Sequence, residues 1–225
     1  MTYDRVTEGV FVSRPNRFIA HVLIDGQPAI AHVKNTGRCK ELLLPGARIW
    51  LQESDAAHRK TRWDLISVES AGQVINIDSQ VPNQIAWEYC RQLFPDATNI
   101  RREVTFGDSR FDLMVERPNR LPTYVEVKGV TLKVGEEARF PDAPTDRGVK
   151  HIRGLIDAAE QGYGAALLFV VAMGNVSVVR PNYATDPAFA AALGEAERRG
   201  VKLYAVDCTV TGDSICYNRN LEVKV

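Results

Sequence analysis

The sequence predicts an α/β protein, α+β overall, in two parts: a small Greek-key β-barrel of OB type over residues 1–80, and an α/β sandwich with a mixed sheet over residues 81–225. From residue 11 to residue 79, short apolar runs of period 2 follow one another between Asp-Gly, Pro-Gly and Ala-Gly turn signals, with almost no helical period. At residue 81 the period becomes helical, with Pro82 near the start and Pro95 just past the end. Beyond it, strand-like and helix-like runs alternate, the pattern of helices packed on a sheet.

The first half divides into five strands. Residues 18–24 (FIAHVLI) end at Asp25-Gly26, a hairpin turn signal, and residues 28–33 return. Residues 47–51 follow Pro45-Gly46, residues 63–69 alternate with aromatic and β-branched side chains, and residues 73–77 follow Ala71-Gly72. Five short strands in such a span predict the barrel, and residues 39–44 predict a helical turn plugging it. Basic residues come in local groups: Arg14 and Arg17; Lys34, Arg38 and Lys40; and His58, Arg59, Lys60 and Arg62. Such barrels track phosphate with cations and stack bases on aromatics. The triplet Asn35-Thr36-Gly37 reads as a turn whose N–H groups can meet a phosphate.

In the second half, residues 81–94 predict a helix with Ile85, Ala86, Tyr89 and Leu93 at helical spacing. A three-stranded meander follows at 100–106, 110–116 and 121–132, its first turn at Gly107-Asp108. Residues 133–143 lack a clean period and read as a flexible loop. Thr145 or Asp146 caps the next helix, whose apolar stripe is Val149, Ile152, Ile156 and Ala159 and which Gly162 stops. Residues 165–173 form a near-continuous apolar run, as in a strand buried on both faces, with residues 176–180 pairing back on it. Residues 187–199 predict a helix, 201–206 another buried strand, and 217–225 a final surface strand or tail.

Chemistry concentrates between residues 110 and 131 (RFDLMVERPNRLPTYVEVKGVT). Strand side chains alternate faces, so Glu126 and Lys128 share one face while Val125 and Val127 occupy the other. A Glu-x-Lys pair alone is weak, because exposed ion pairs contribute only about 0–1 kcal/mol. An Asp at the matching position of the preceding strand, with apolar residues between, strengthens it by specifying the register. Asp112, Glu126 and Lys128 are then the candidate catalytic residues, with Asp112, Glu126 and the Val127 carbonyl holding Mg²⁺ or Mn²⁺ and Lys128 orienting the attacking water. Clustered carboxylates repel unless a cation offsets them. Glu103, on either face of its strand, and Glu88, on the first helix, are possible additional acidic groups. Arg147, Lys150 and His151 crowd the first turns of the second helix, where cations oppose the macrodipole, so an anionic ligand is expected there.

The spacing Asp…Glu-x-Lys resembles the PD-(D/E)xK nuclease signature. Residues 100–104 (IRREV), 124–128 (YVEVK), 140–151 (FPDAPTDRGVKH), 32–43 (HVKNTGRCKELL) and 45–48 (PGAR) together resemble the sugar fermentation stimulation protein family of bacteria and archaea, over nearly the whole chain. The resemblance implies DNA binding, a role in sugar metabolism, and a nuclease-like α/β domain with a PD-(D/E)xK site. Where that family often has Asn after Glu-x-Lys, this chain has Gly129.

Composition limits the function classes. Lys plus Arg and Asp plus Glu are both 28, leaving no net charge and hence no global positive field for non-specific nucleic-acid binding. A nucleic-acid site must be a local patch; the residues expected to form it are Arg14, Arg17, Arg38, Lys40, Arg147, Lys150 and His151. The four cysteines form no CxxC or Cys/His set, so reduced thiols are expected. The N-terminus lacks a signal-peptide core and the chain lacks any run of about 20 apolar residues, which points to the cytoplasm and no membrane. The expected activity is metal-dependent hydrolysis of DNA, single-stranded or duplex. The alternative is a non-enzymatic DNA-binding regulator that retains an unused site; RNA is a weaker third substrate.

Overall fold

The computed structural model describes residues 1–35, 37–54 and 61–225. The chain divides into two units. The first comprises Met1–Val81 with two later segments, Ala172–Asn175 and Cys208–Cys216; the second comprises Pro82–Val171, Val176–Asp207 and Tyr217–Val225. Among the described residues no helix is long and apolar enough to cross a membrane.

The first unit is built on β1 (Val6–Asn16), β2 (Ile19–Ile24), β3 (Gln27–Val33), β4 (Arg48–Glu53), β5 (Trp63–Ser70) and β6 (Gln73–Asn76). β1 pairs with β2 and β4, β2 with β3, and β4 with β5, all antiparallel, while β3 pairs with β5 in parallel. The first five strands therefore close into an OB-like barrel, and β6 hangs on β5 outside the ring. Asp25 and Gly26 both take positive φ, 51° and 75°, the mirror-image turn that matches strand twist. Inside lie Phe11, Val22, Ala31, Val33, Ile49, Leu51 and Leu65. A single turn in which Leu42 and Leu43 N–H donate to the Cys39 carbonyl buries those three side chains against this core.

Membership of the ring differs from the expectation. Residues 73–77 lie outside it, and its first strand, β1, carries almost no apolar alternation. Only Gly9 and Phe11 of β1 are buried, while Val10 and Val12 face outward. A Cβ at Gly9 would lie 2.7 Å from the Leu23 carbonyl oxygen, so close strand approach takes the place of an inward side chain. Two register shifts against β2 further break the period.

The second unit contains α1 (Val81–Leu93), β7 (Asn99–Phe106), β8 (Ser109–Glu116), β9 (Thr123–Val130), β10 (Leu132–Val134), β11 (Glu137–Phe140), α2 (Asp146–Glu160), β12 (Gly164–Val171), β13 (Val178–Pro181), α3 (Pro187–Arg198), β14 (Lys202–Val210) and β15 (Ile215–Val223). One mixed sheet runs β10-β11-β13-β15-β14-β12-β9-β8-β7. β7, β8 and β9 form the antiparallel meander, and β9, β12 and β14 run parallel. Thr145 caps α2 by accepting the Gly148 N–H at 3.0 Å, and Asp186 caps α3 in the same way from Phe189.

Three expectations are corrected here. Residues 133–143 hold the β10–β11 hairpin, which interleaved charges obscured; Glu137 there is held by Arg139 at 2.9 Å and Arg180 at 3.0 Å. Residues 176–180 do not pair with the 165–173 run. Both edges of β12 are taken by β9 and β14, so β13 lies between β11 and β15. The last strand, β15, is the surface strand expected, with only Ile215 buried, and it lies between β13 and β14 in the sheet order. The buried face of α2 is also wider than the predicted stripe and includes Gly148, His151 and Leu155.

Gly129 stands where β9 meets α1. A Cβ there would sit 2.6 Å from Pro82 Cγ, so the first turn of α1 presses directly on β9. Gly129→Asn is expected to cost about 1–3 kcal/mol, the usual penalty for forcing atoms into filled space. Thermal unfolding measures it, and an unchanged Tm would show that Pro82 yields freely.

Candidate active site

β8 and β9 pair only from Leu113↔Val125 to Val115↔Thr123, and beyond Leu113 they part. On its other edge β9 stays paired with β12 along its whole length. Continuing the register would set Asp112 opposite Glu126. Asp112 instead closes the gap with its side chain: Oδ2 accepts the Val127 N–H at 2.8 Å, and Oδ1 accepts the Asn83 side-chain amide of α1 at 2.9 Å. In an extended strand a residue's N–H and C=O leave by the same edge, so the Val127 carbonyl also opens toward Asp112.

Glu126 is buried, only 2% exposed. Its Oε1 accepts from Lys128 Nζ at 2.7 Å and from His151 Nδ1 of α2. Arg147 Nε donates to His151 Nε2 at 3.4 Å. Because arginine only donates, Nε2 must be the ring acceptor and Nδ1 carries the proton given to Glu126. Among the described residues Glu126 Oε2 is buried with no hydrogen-bond partner, a costly state for a carboxylate oxygen.

Burial pushes the Asp112 carboxyl above its ordinary value and the Glu126 charge adds to the rise, against the opposing Val127 N–H, Asn83 amide and Lys128 ammonium. For Glu126 burial acts in the same upward direction, but the hydrogen bonds and charges of His151 and Lys128 outweigh it and hold the carboxyl below its ordinary value. Two carboxylates thus face each other across an opened ladder, one destabilised as an anion and the other fixed as one. Among the described residues no three His, Cys, Asp or Glu side chains gather into a metal cluster. What the site offers a hard cation is the two carboxylates, the unpartnered Glu126 Oε2 and the Val127 carbonyl. That all-oxygen donor set fits Mg²⁺ or Mn²⁺, which keep waters in their remaining positions.

The other candidates are placed differently. Glu103 is the one unpaired position within the otherwise continuous β7–β8 register, exposed, with positive φ, and its side chain is paired with Arg110. Glu88 is exposed and accepts from Gln84 at 2.6 Å. α1 reaches Asp112 with the amide of Asn83 instead of a carboxylate. His151, expected as a nucleic-acid contact, is buried against Glu126. Arg147 is exposed, and Lys150, also exposed, lines a separate groove with Arg153, Asp157 and Glu160. In the first unit Arg17, Arg38 and Lys40 are exposed. Arg14 is not available: its guanidinium donates to the carbonyls of Arg17, Asn35, Gly37 and Arg38 at 2.6–3.0 Å, clamping that loop from within. Lys34 is drawn inward to Asp78 at 2.5 Å, and Arg62 is paired with Glu53. Thr36, His58, Arg59 and Lys60 lie outside the described residues.

Sequence reasoning missed Asn83 and the true place of His151. An Asn inside the first turn of α1 and a His spaced three from Gly148 and four from Leu155 were the available signals.

The fold defines a two-part protein: a mixed-sheet α/β unit, whose antiparallel meander carries Asp112, Glu126 and Lys128, in one chain with an OB-like barrel. Residues 12–77 match the SfsA N-terminal OB domain, and residues 80–214 match the sugar fermentation stimulation protein RE domain. The chain belongs to the sugar fermentation stimulation protein family. It is 51% identical over 216 residues to a sugar fermentation stimulation protein homolog of Desulfitobacterium hafniense strain Y51, covering 96% of this chain and 94% of that one. A homolog from Ruminiclostridium cellulolyticum is 46% identical over 227 residues, covering both chains fully. The solved structure of Pyrococcus furiosus SfsA in complex with Ca²⁺ is similar at a TM-score of 0.89 and 32% identity, covering 100% of this chain and 98% of that one.

The raised Asp112 carboxyl has a stability consequence in metal-free protein. Between its ordinary value of 3.8 and its raised folded value, the folded state holds a proton that the unfolded state has lost, so its contribution falls as pH rises through that window. Glu126 acts oppositely: its contribution is present above its ordinary value and is lost as pH falls through its lowered one. Asp112→Asn removes only the first effect, and the Asn83 amide can rotate to offer its oxygen to the new group. At pH 7 in a chelator the variant should melt above the wild type. The gap should close on acidification. A variant that melts lower at every pH would show that the lost acceptor outweighs the lost charge.

Proposed function

We propose that the protein is a divalent-metal-dependent nuclease that hydrolyses phosphodiester bonds of DNA. The observation that carries this reading is the buried, partnerless Glu126 Oε2 beside Asp112 on strands that separate at that point. Burial and, after it, repulsion from Glu126 raise the Asp112 carboxyl, and a bound cation would offset both. Ca²⁺, named with the solved relative from Pyrococcus furiosus, is a hard oxygen-seeking cation like Mg²⁺ and Mn²⁺, and supports binding of a divalent ion by this chain.

Asp112, Glu126 and the Val127 carbonyl would hold the ion. When bound, it supplies Lewis-acid polarisation of the phosphoryl group and a more acidic water. Lys128, anchored to Glu126 at 2.7 Å, orients the attacking water and receives part of the developing negative charge. Asn83 and the Val127 N–H fix the rotamer of Asp112. Arg147 and Lys150 on α2 provide exposed cations for the phosphate backbone, and the exposed Arg17, Arg38 and Lys40 do so on the barrel, an architecture suited to oligonucleotides.

Lys128→Ala separates catalysis from binding. It should lower Mg²⁺- or Mn²⁺-dependent cleavage by about 10²–10⁴-fold, the usual contribution of a positioned acid–base group, while metal binding measured by calorimetry persists. Wild-type protein that binds neither metal and cuts no single-stranded, duplex or branched DNA would overturn the nuclease in favour of a DNA-binding regulator.

A further inference from the structure

Resting on that reading, we infer that Arg147 and His151 of α2 form a positioning relay that turns the free oxygen of Glu126 toward the metal. Glu126 has a carboxylate with two equivalent oxygens and a torsion that is broad by nature. Among the described residues one of them has no donor. Lys128 and the His151 Nδ1–H both converge on Oε1, so Oε2 alone is open.

Lys128 by itself cannot define that orientation. Its ammonium is a compact charge on a flexible stem, from the same strand and two residues away, and can follow either oxygen. The imidazole is different: it is planar, buried, and rooted on a helix capped by Thr145 and packed through Ile152 and Leu155. It directs a single N–H along one line, provided the proton is on Nδ1. Arg147, one turn earlier at spacing four, secures that proton by donating to Nε2. The chain Arg147 to His151 to Glu126 is thus the outer support that metal-binding carboxylates commonly need.

The relay differs from a simple charge effect in the sign of one result. If Arg147 acted only through its charge, Arg147→Ala would remove a repelling cation and tighten divalent-ion binding. A positioning role requires the opposite. Mn²⁺ titrated alone into the full-length protein by calorimetry provides the readout, with cleavage followed in parallel. His151→Leu should weaken Mn²⁺ binding about 10–100-fold, the usual loss when an outer-shell partner is removed. His151→Asn, whose amide N–H can take the place of Nδ1–H, should restore most of the affinity. Arg147→Ala, at an exposed position that does not threaten folding, should weaken binding, and Arg153→Ala on the same helix should leave it unchanged. Tighter binding by Arg147→Ala, or an Asn variant as poor as the Leu variant, overturns the relay while leaving the nuclease reading intact. Absence of Mn²⁺ binding by the wild type would overturn the relay, and the nuclease reading falls with it only if Mg²⁺ also fails to bind and no DNA is cut.

Discussion

The second unit depends on one interrupted ladder. Antiparallel strands normally satisfy their backbone groups mutually, yet β8 releases β9 after a short pairing and leaves β9 bonded on that side by a side chain. Asp112 replaces a strand carbonyl as acceptor for Val127, so the backbone remains satisfied while a gap opens at the sheet surface. Into that gap come the second carboxylate, the Lys128 ammonium and, from α1, the Asn83 amide. Close contact between Pro82 and Gly129 brings α1 near enough to do so. Substitution of Asp112 therefore touches the fold and the chemistry together.

Buried charge in this unit is compensated unevenly. Glu126 collects two donors on one oxygen and none on the other. Asp207, equally buried, shows what a purely structural carboxylate looks like in the same unit: it accepts from the Asn218 amide, the Arg219 N–H and the Arg219 guanidinium, with both oxygens used. The contrast between those two acids separates a carboxylate with both oxygens satisfied from one with an oxygen left without a partner among the described residues.

In the first unit the basic motifs serve two distinct ends. Arg14 and Lys34 are consumed internally, one holding four carbonyls of the loop after β3 and the preceding turn, the other joined to Asp78 and Asp64. Their neighbours Arg17, Arg38 and Lys40 remain exposed. A run of cations along the sequence is therefore sorted by structure into scaffold and surface, since a planar guanidinium can donate to several carbonyls at once.

Local sequence determined whatever depends on local physics. Turn pairs such as Asp25-Gly26, the change to helical period at Val81-Pro82, the cap before α2 and the alternation that puts Asp112, Glu126 and Lys128 on one face were all legible, because backbone sterics and side-chain periodicity act over a few residues. β1 was not, since its inward positions are a glycine and one phenylalanine and its partners lie elsewhere in the chain. The interior placement of β15 and the separation of β13 from β12 follow from competition for strand edges, a property of the assembled sheet. Nor could periodicity assign His151, which belongs by spacing to either a basic surface or a buried stripe. Only packing α2 over β9 brings it to Glu126, where removal from water makes a hydrogen bond between a histidine and a carboxylate decisive.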